Sequence, residues 1–241
     1  VTHLTTCPDA DAVAVRAAAT VQRLLERALE QRGAAHLALS GGTTPAATYE
    51  LLAAQMPTWE GVEVWFADER CVAPDDEESN YLLAQRTLLA PAGIADAQVH
   101  RMQGEAGPQE GAARYATELR TLPDAEQAGV PALDAVVLGI GPDGHVASLF
   151  PGSSALDADE HELCLGVTAS PKPPPERITL TLAVLRTARS CVLLATGASK
   201  ADAVAAMLGE PTRTVPASLL RRERLTAIVD DAAAPPPARL P

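Results

Sequence analysis

The chain has 241 residues, 47% apolar and 21% charged, an ordinary globular balance with length for one sizeable core. Aromatic residues make up only 3%, so the core is aliphatic and a base-stacking surface for single-stranded nucleic acid is poorly supplied. The formal net charge of -12 repels a phosphate backbone or an anionic membrane, so neither is an expected partner. A small anion still suits a local cluster of Arg and Lys, because salt screens distant charge beyond about 8 Å.

The four cysteines, Cys7, Cys71, Cys164 and Cys191, lie far apart, with no CxxC and no zinc-type Cys/His spacing. They read as scattered thiols of a reducing compartment. The first residues carry no basic start followed by an apolar run, and no apolar stretch reaches about 18 residues. A cytoplasmic chain, monomeric or weakly dimeric and without a metal site, is expected.

In chain order, Val13, Ala17, Val21, Leu24, Leu25, Ala28 and Leu29 recur at helical steps, predicting a helix from Ala10 to Arg32 that Gly33 ends. His36–Ser40 is short and apolar and predicts a strand; it runs through Gly41-Gly42 into a helical pattern from Pro45 to Met56. Val62–Ala67 predicts a second strand, followed by a helix from Asn80 to Leu89. Leu133–Gly139 and Cys191–Thr196 predict further strands, the latter leading into a helix from Ala198 to Leu208. Leu225–Val229 closes the series, and Ala169–Glu176 is proline-rich and reads as an extended crossing stretch. Apolar strands alternating with helices imply an α/β fold, a mostly parallel open sheet with helices on both faces. Residues 1–230 are expected to form one domain and 231–241 a frayed tail.

Ligands of such sheets sit beyond the carboxyl ends of the strands, so the loops there carry the chemistry. Ser40-Gly41-Gly42-Thr43-Thr44-Pro45 offers hydroxyls, a close backbone approach and a helix N-terminus, which suits a phosphate. It reads equally as a tight turn with Thr44 capping a helix that has Pro45 at its first position. Asp68, Glu69 and Arg70 cluster at a strand end, either to hold sugar hydroxyls and a substrate oxygen or as a surface ion pair; Ser79-Asn80 reads as a helix cap. Gly139-Ile-Gly-Pro-Asp143-Gly-His145 places a carboxylate two residues from an imidazole, the group that titrates near neutrality and serves as a general base; a structural histidine is the competing reading. Lys172, Arg177 and Lys200 supply cations at strand and helix starts, which makes sense if an anion binds there and otherwise describes solvated side chains.

Taken in order, SGGTTP (40–45), WFADER (65–70), SN (79–80), GIGPDGHVASLFPGS (139–153), KPPPERITLT (172–181) and GASK (197–200) resemble the glucosamine-6-phosphate isomerase/6-phosphogluconolactonase family, across almost the whole chain. Each segment alone is weak, and the ordered set is specific. The resemblance implies an open α/β sheet of the ribose-5-phosphate isomerase/CoA-transferase-like group. It implies hydrolysis of 6-phospho-D-glucono-1,5-lactone to 6-phospho-D-gluconate in the pentose phosphate pathway, with a phosphorylated sugar lactone as the small-molecule partner and no required cofactor. It puts His145 in the role of general base with Asp143 beside it, and Arg70 near the ligand at either the phosphate or the lactone end. Gly42, Thr43, Arg177 and Lys200 match the positions that hold the phosphate, with Ser40, Gly41 and Asp68 completing the expected substrate contacts. Val146 stands where the family often has threonine. Two rivals remain: an amino-sugar-phosphate deaminase or isomerase, and a non-catalytic sugar-phosphate sensor. The related deaminases carry a glutamate in an NEP sequence shortly after their DGH, whereas Ser148-Leu-Phe-Pro151 has no carboxylate. A sensor is expected to carry a basic DNA-binding segment, which a net charge of -12 disfavours.

Overall fold

Among residues 2–122 and 129–235, which the computed structural model describes, nine strands form two sheets. In chain order they are β1 (His3–Cys7), β2 (Ala35–Leu39), β3 (Val62–Phe66), β4 (Asp68–Arg70), β5 (Ala135–Gly139), β6 (Cys164–Val167), β7 (Arg177–Leu180), β8 (Cys191–Ala195) and β9 (Leu225–Asp230). The helices are α1 (Ala10–Arg32), α2 (Thr43–Gln55), α3 (Asn80–Ala84), α4 (Ala90–Ala92), α5 (Pro108–Leu119), α6 (Leu182–Thr187) and α7 (Ala201–Leu208). None of the described helices is long and apolar enough to cross a membrane.

The main sheet runs β1-β9-β8-β5-β2-β3 with every neighbouring pair parallel. Its centre is buried on both faces, so Val136, Val137 and Leu138 of β5 and Val192, Leu193 and Leu194 of β8 form unbroken apolar runs. The five expected strands all belong to this sheet, with ends within two residues of those predicted. β1, paired among the described residues with β9 alone, went unread because Leu4-Thr-Thr-Cys7 has little apolar content. Helix α1 matches its predicted span: the Asp9 carboxylate accepts the Ala12 N–H at 2.8 Å, and Gly33, at φ 72°, donates its N–H to the Leu29 carbonyl. The helix predicted from Asn80 to Leu89 is α3, which runs through a π turn (Gln85–Leu89) into α4.

A second sheet, antiparallel and ordered β4-β7-β6, extends the picture of one sheet. Ala67 joins the two: its N–H donates to the Leu39 carbonyl, and its own carbonyl accepts the Leu180 N–H. The register sets Arg70 of β4 opposite Arg177 of β7. The proline-rich stretch folds back on itself, because Arg177 bonds the carbonyls of Lys172, Pro173 and Pro174. Past β9 the segment expected to fray begins as a turn, with the Ala233 N–H on the Asp230 carboxylate at 2.7 Å. The rest of that segment, 236–241, lies outside the described residues.

The chain leaves β2 toward β3 on one side, while β5 leads to β8 on the other, so the loops following β2 and β5 diverge and open a crevice between them. Two buried tyrosines fix strand ends beside it. The Tyr49 hydroxyl donates to the Ser40 carbonyl at 2.8 Å and accepts the Ser40 N–H at 3.0 Å. The Tyr115 hydroxyl does the same for Phe66, at 3.0 and 2.7 Å. Burial pushes both phenols far above the ordinary tyrosine range, so each stays protonated and keeps its donor. Tyr115→Phe keeps the packing but leaves the Phe66 amide and carbonyl without that partner. We expect a loss of about 1–3 kcal/mol in urea unfolding with an unchanged m-value.

Candidate active site

The crevice holds a cavity of about 320 Å³. Its floor is the irregular loop after β5, closed by the Gly141 N–H on the His145 carbonyl and the Gly144 N–H on the Gly141 carbonyl, both at 2.9 Å. Within it His145 Nδ1 lies 2.5 Å from Asp143 Oδ1. A Cβ on Gly141 would overlap both of these atoms, so the pair can form only above a glycine. The imidazole packs on the Phe150 ring, centroids 4.5 Å apart, and Lys172 Nζ stands 3.7 Å from Asp143 Oδ1.

Burial pulls the His145 imidazole below its ordinary 6.5, against the opposing pull of the Asp143 hydrogen bond. Burial opposes ionisation of Asp143, but the His145 bond and the charges of His145 and Lys172 outweigh it and hold the carboxyl low. At neutral pH the pair is therefore a carboxylate facing a neutral imidazole. The carboxylate accepts the Nδ1–H, which leaves the Nε2 lone pair to act as a base.

A second wall comes from β4 and the start of α3. Asp68 is 5% exposed. Its Oδ2 accepts the Ser148 hydroxyl at 2.8 Å, and its Oδ1 accepts the Asn80 amide at 3.2 Å. Asn80 also donates to the Asp68 carbonyl at 2.8 Å and packs where a Cβ on Gly41 would stand. Neither Asp68 nor Glu69 forms an ion pair among the described residues, so the surface-pair reading of this loop holds only for Arg70, whose Nη1 stands 3.8 Å from the exposed Glu78 carboxylate. Arg70 donates from Nη1 to the Glu78 carbonyl at 2.5 Å, while its buried Nε has no hydrogen-bond partner among the described residues. Arg177 sits 5.7 Å over the Phe150 ring, and burial lowers its pKa.

The third wall is the loop after β2. Helix α2 starts at Thr43 on Gly42, at φ 115°, with no side-chain cap. Thr44 is therefore not the cap; its hydroxyl bonds that of Thr196, 2.7 Å away, tying this loop to the end of β8. The buried Ser40 hydroxyl lacks a hydrogen-bond partner among the described residues. Lys200 lines the same cavity; burial first and Lys172 second lower its pKa, with Asp143 opposing.

Of the residues named from the sequence, Ser40, Gly41, Gly42, Thr43, Asp68, Arg70, His145, Arg177 and Lys200 all line this cavity, and Asp143 is bonded to His145 beside it. Lys172, read from the sequence as a cation for a bound anion, lines it too, whereas sequence reasoning left out Asn80 and Ser148 as site groups. Asn80 carried a signal as half of Ser79-Asn80, but Ser79 is the cap, accepting the Leu82 N–H at 3.2 Å, and Asn80 turns to Asp68. Ser148 meets Asp68 across 80 positions of sequence, a contact that no local pattern reveals.

Residues 8–229 match the family described as glucosamine-6-phosphate isomerases/6-phosphogluconolactonase. The chain is 39% identical to a 6-phosphogluconolactonase of Streptomyces coelicolor, covering 94% of this chain and 91% of that protein. It is 38% identical to a 6-phosphogluconolactonase of Mycobacterium tuberculosis, covering 96% and 97%. Among solved structures, a 6-phosphogluconolactonase from Trypanosoma cruzi superposes with a TM-score of 0.85 at 27% identity, over 97% of this chain and 96% of that one. With its fold, its cavity and these similarities in agreement, the chain belongs to the glucosamine-6-phosphate isomerase/6-phosphogluconolactonase family.

Proposed function

We propose that this chain hydrolyses 6-phospho-D-glucono-1,5-lactone to 6-phospho-D-gluconate in the pentose phosphate pathway, with His145 as the base that activates water. The observation that carries this reading is the Asp143–His145 pair, a neutral imidazole held by a carboxylate at the wall of a cavity shared with four cationic side chains. Arg177, Lys200 and Lys172 line that cavity together with the N-terminus of α2, in a chain whose net charge is otherwise strongly negative. An anchored phosphate gives the binding energy that orients the far end of the sugar. Arg70 and Arg177 stand opposite each other across an antiparallel ladder, a like-charge pairing that an anion between them relieves.

The chemistry is then modest. Nε2 of His145 takes a proton from water as the water oxygen bonds to C1 of the lactone, and the carbonyl oxygen takes up the negative charge. Donors of the cavity wall stabilise that oxyanion. As it collapses, the bond from C1 to the ring oxygen breaks, and the ring oxygen receives the proton from Nε2. A strained lactone hydrolyses slowly by itself, so one positioned base suffices. A deaminase or isomerase must also move a proton between C1 and C2. The stretch following His145 offers no carboxylate for that, and the Asp68 carboxylate in the same cavity is held by the Ser148 hydroxyl and the Asn80 amide.

Lactone loss, followed against spontaneous hydrolysis with glucosamine 6-phosphate as a control for ammonia release, tests the reading. His145→Ala is expected to lower kcat by about 10²-fold or more, and turnover near that of the wild type sinks the role of the base. Because the imidazole titrates below 6.5, activity holds as pH falls through neutrality and declines only once the pH drops below that value. Asp143→Asn removes the group that raises the His145 pKa. Its acid limb therefore moves to still lower pH while the plateau drops; a limb that moves up contradicts the pairing.

A further inference from the structure

Glu69 lies between two residues of the cavity wall, yet it does not line the cavity and plays no part in the chemistry above. It is 3% exposed and has no cation partner among the described residues. Instead its carboxylate collects four donors from two stretches of chain. Oε1 accepts the Arg70 and Asn80 N–H groups, each at 2.7 Å; Oε2 accepts the Tyr81 N–H at 2.7 Å and the Ser79 hydroxyl at 3.0 Å. Burial raises its pKa, and the four hydrogen bonds pull against that. A buried carboxylate satisfied in this way is a geometric lock, since losing it strands several donors at once.

The consequence reaches the cavity through one side chain. With its N–H fixed by Glu69, Asn80 aims its amide at the Asp68 carbonyl and carboxylate, and Asp68 faces the cavity. We propose that Glu69 is a positioning residue of this site, which sets the aim of Asp68 on the bound sugar through Asn80. The proposal rests on the lactonase reading for its substrate.

The test is a double-mutant cycle in kcat/KM with Glu69→Gln, Asn80→Ala and the combination, each normalised to folded protein by thermal unfolding. Glutamine keeps the shape but presents an N–H group to donors, so the lock is lost. Each single variant is expected to lower kcat/KM about tenfold or more, and the double variant to be no worse than the poorer single. A merely structural role for Glu69 leaves kcat/KM per folded molecule unchanged. Either that result or losses that multiply independently overturn the proposal. If Glu69→Gln does not accumulate folded, Ser79→Ala, which removes one of the four donors, takes its place in the cycle. A wild-type chain that leaves the lactone intact overturns the lactonase reading alone. The same cycle is then read from 6-phosphogluconate affinity by calorimetry, where coupling supports the role of Glu69 and independence overturns it.

Discussion

The divergence of the chain at β2 and β5 is the constraint on which the rest depends. Two parallel neighbours whose connections leave in opposite directions cannot close the space above their carboxyl ends, so a crevice exists there before any side chain is chosen. Backbone geometry then delivers the ingredients: a helix N-terminus after β2, an irregular glycine-bearing loop after β5, and the passage through Ala67 into a second sheet after β3. The tyrosine hydroxyls at Ser40 and Phe66 hold two of these launch points in place. The rigid scaffold and the reactive loops are thus parts of one hydrogen-bonded arrangement.

The electrostatics follow a similar division. An acidic protein gathers Arg70, Lys172, Arg177 and Lys200 around one cavity, where burial lowers the pKa of Arg177 and Lys200. Two of its acids, Asp68 and Glu69, are buried beside these cations but held by hydrogen bonds from hydroxyl, amide and backbone groups. Arg177 and Lys200 have no ion-pair partner among the described residues, whereas Arg70 Nη1 stands 3.8 Å from the Glu78 carboxylate. Asp143 is the exception: close to Lys172, it stays ionised and spends its charge on the tautomer of His145.

The main sheet was legible because strands buried on both faces must be apolar runs, and because glycine and proline punctuate the turns that follow them. The site loops were legible for the same reason, since chemistry-bearing residues clustered just past each run. What escaped was either short or distant. β4 is three charged residues, Asp68-Glu-Arg70, and becomes a strand only by pairing with β7, more than a hundred residues away. Helix α5 opens on Pro108 and carries Gly111, which weakens its helical signal, and its burial against β6 and β7 supplies what propensity does not. The cap reading of Thr44 failed because Gly42 already provides the helix start, freeing the hydroxyl for Thr196. The roles of Asn80 and Ser148 are set by tertiary partners.

Phe150 touches both halves of the site, its ring against His145 on one contact and under the Arg177 guanidinium on another. A single aromatic ring thus couples the loop of His145 to the strand that carries Arg177. A change in the size of this ring disturbs the packing of both side chains at once. The loop after β5 and strand β7 are thus joined through one ring, although 32 positions separate His145 from Arg177 in the chain.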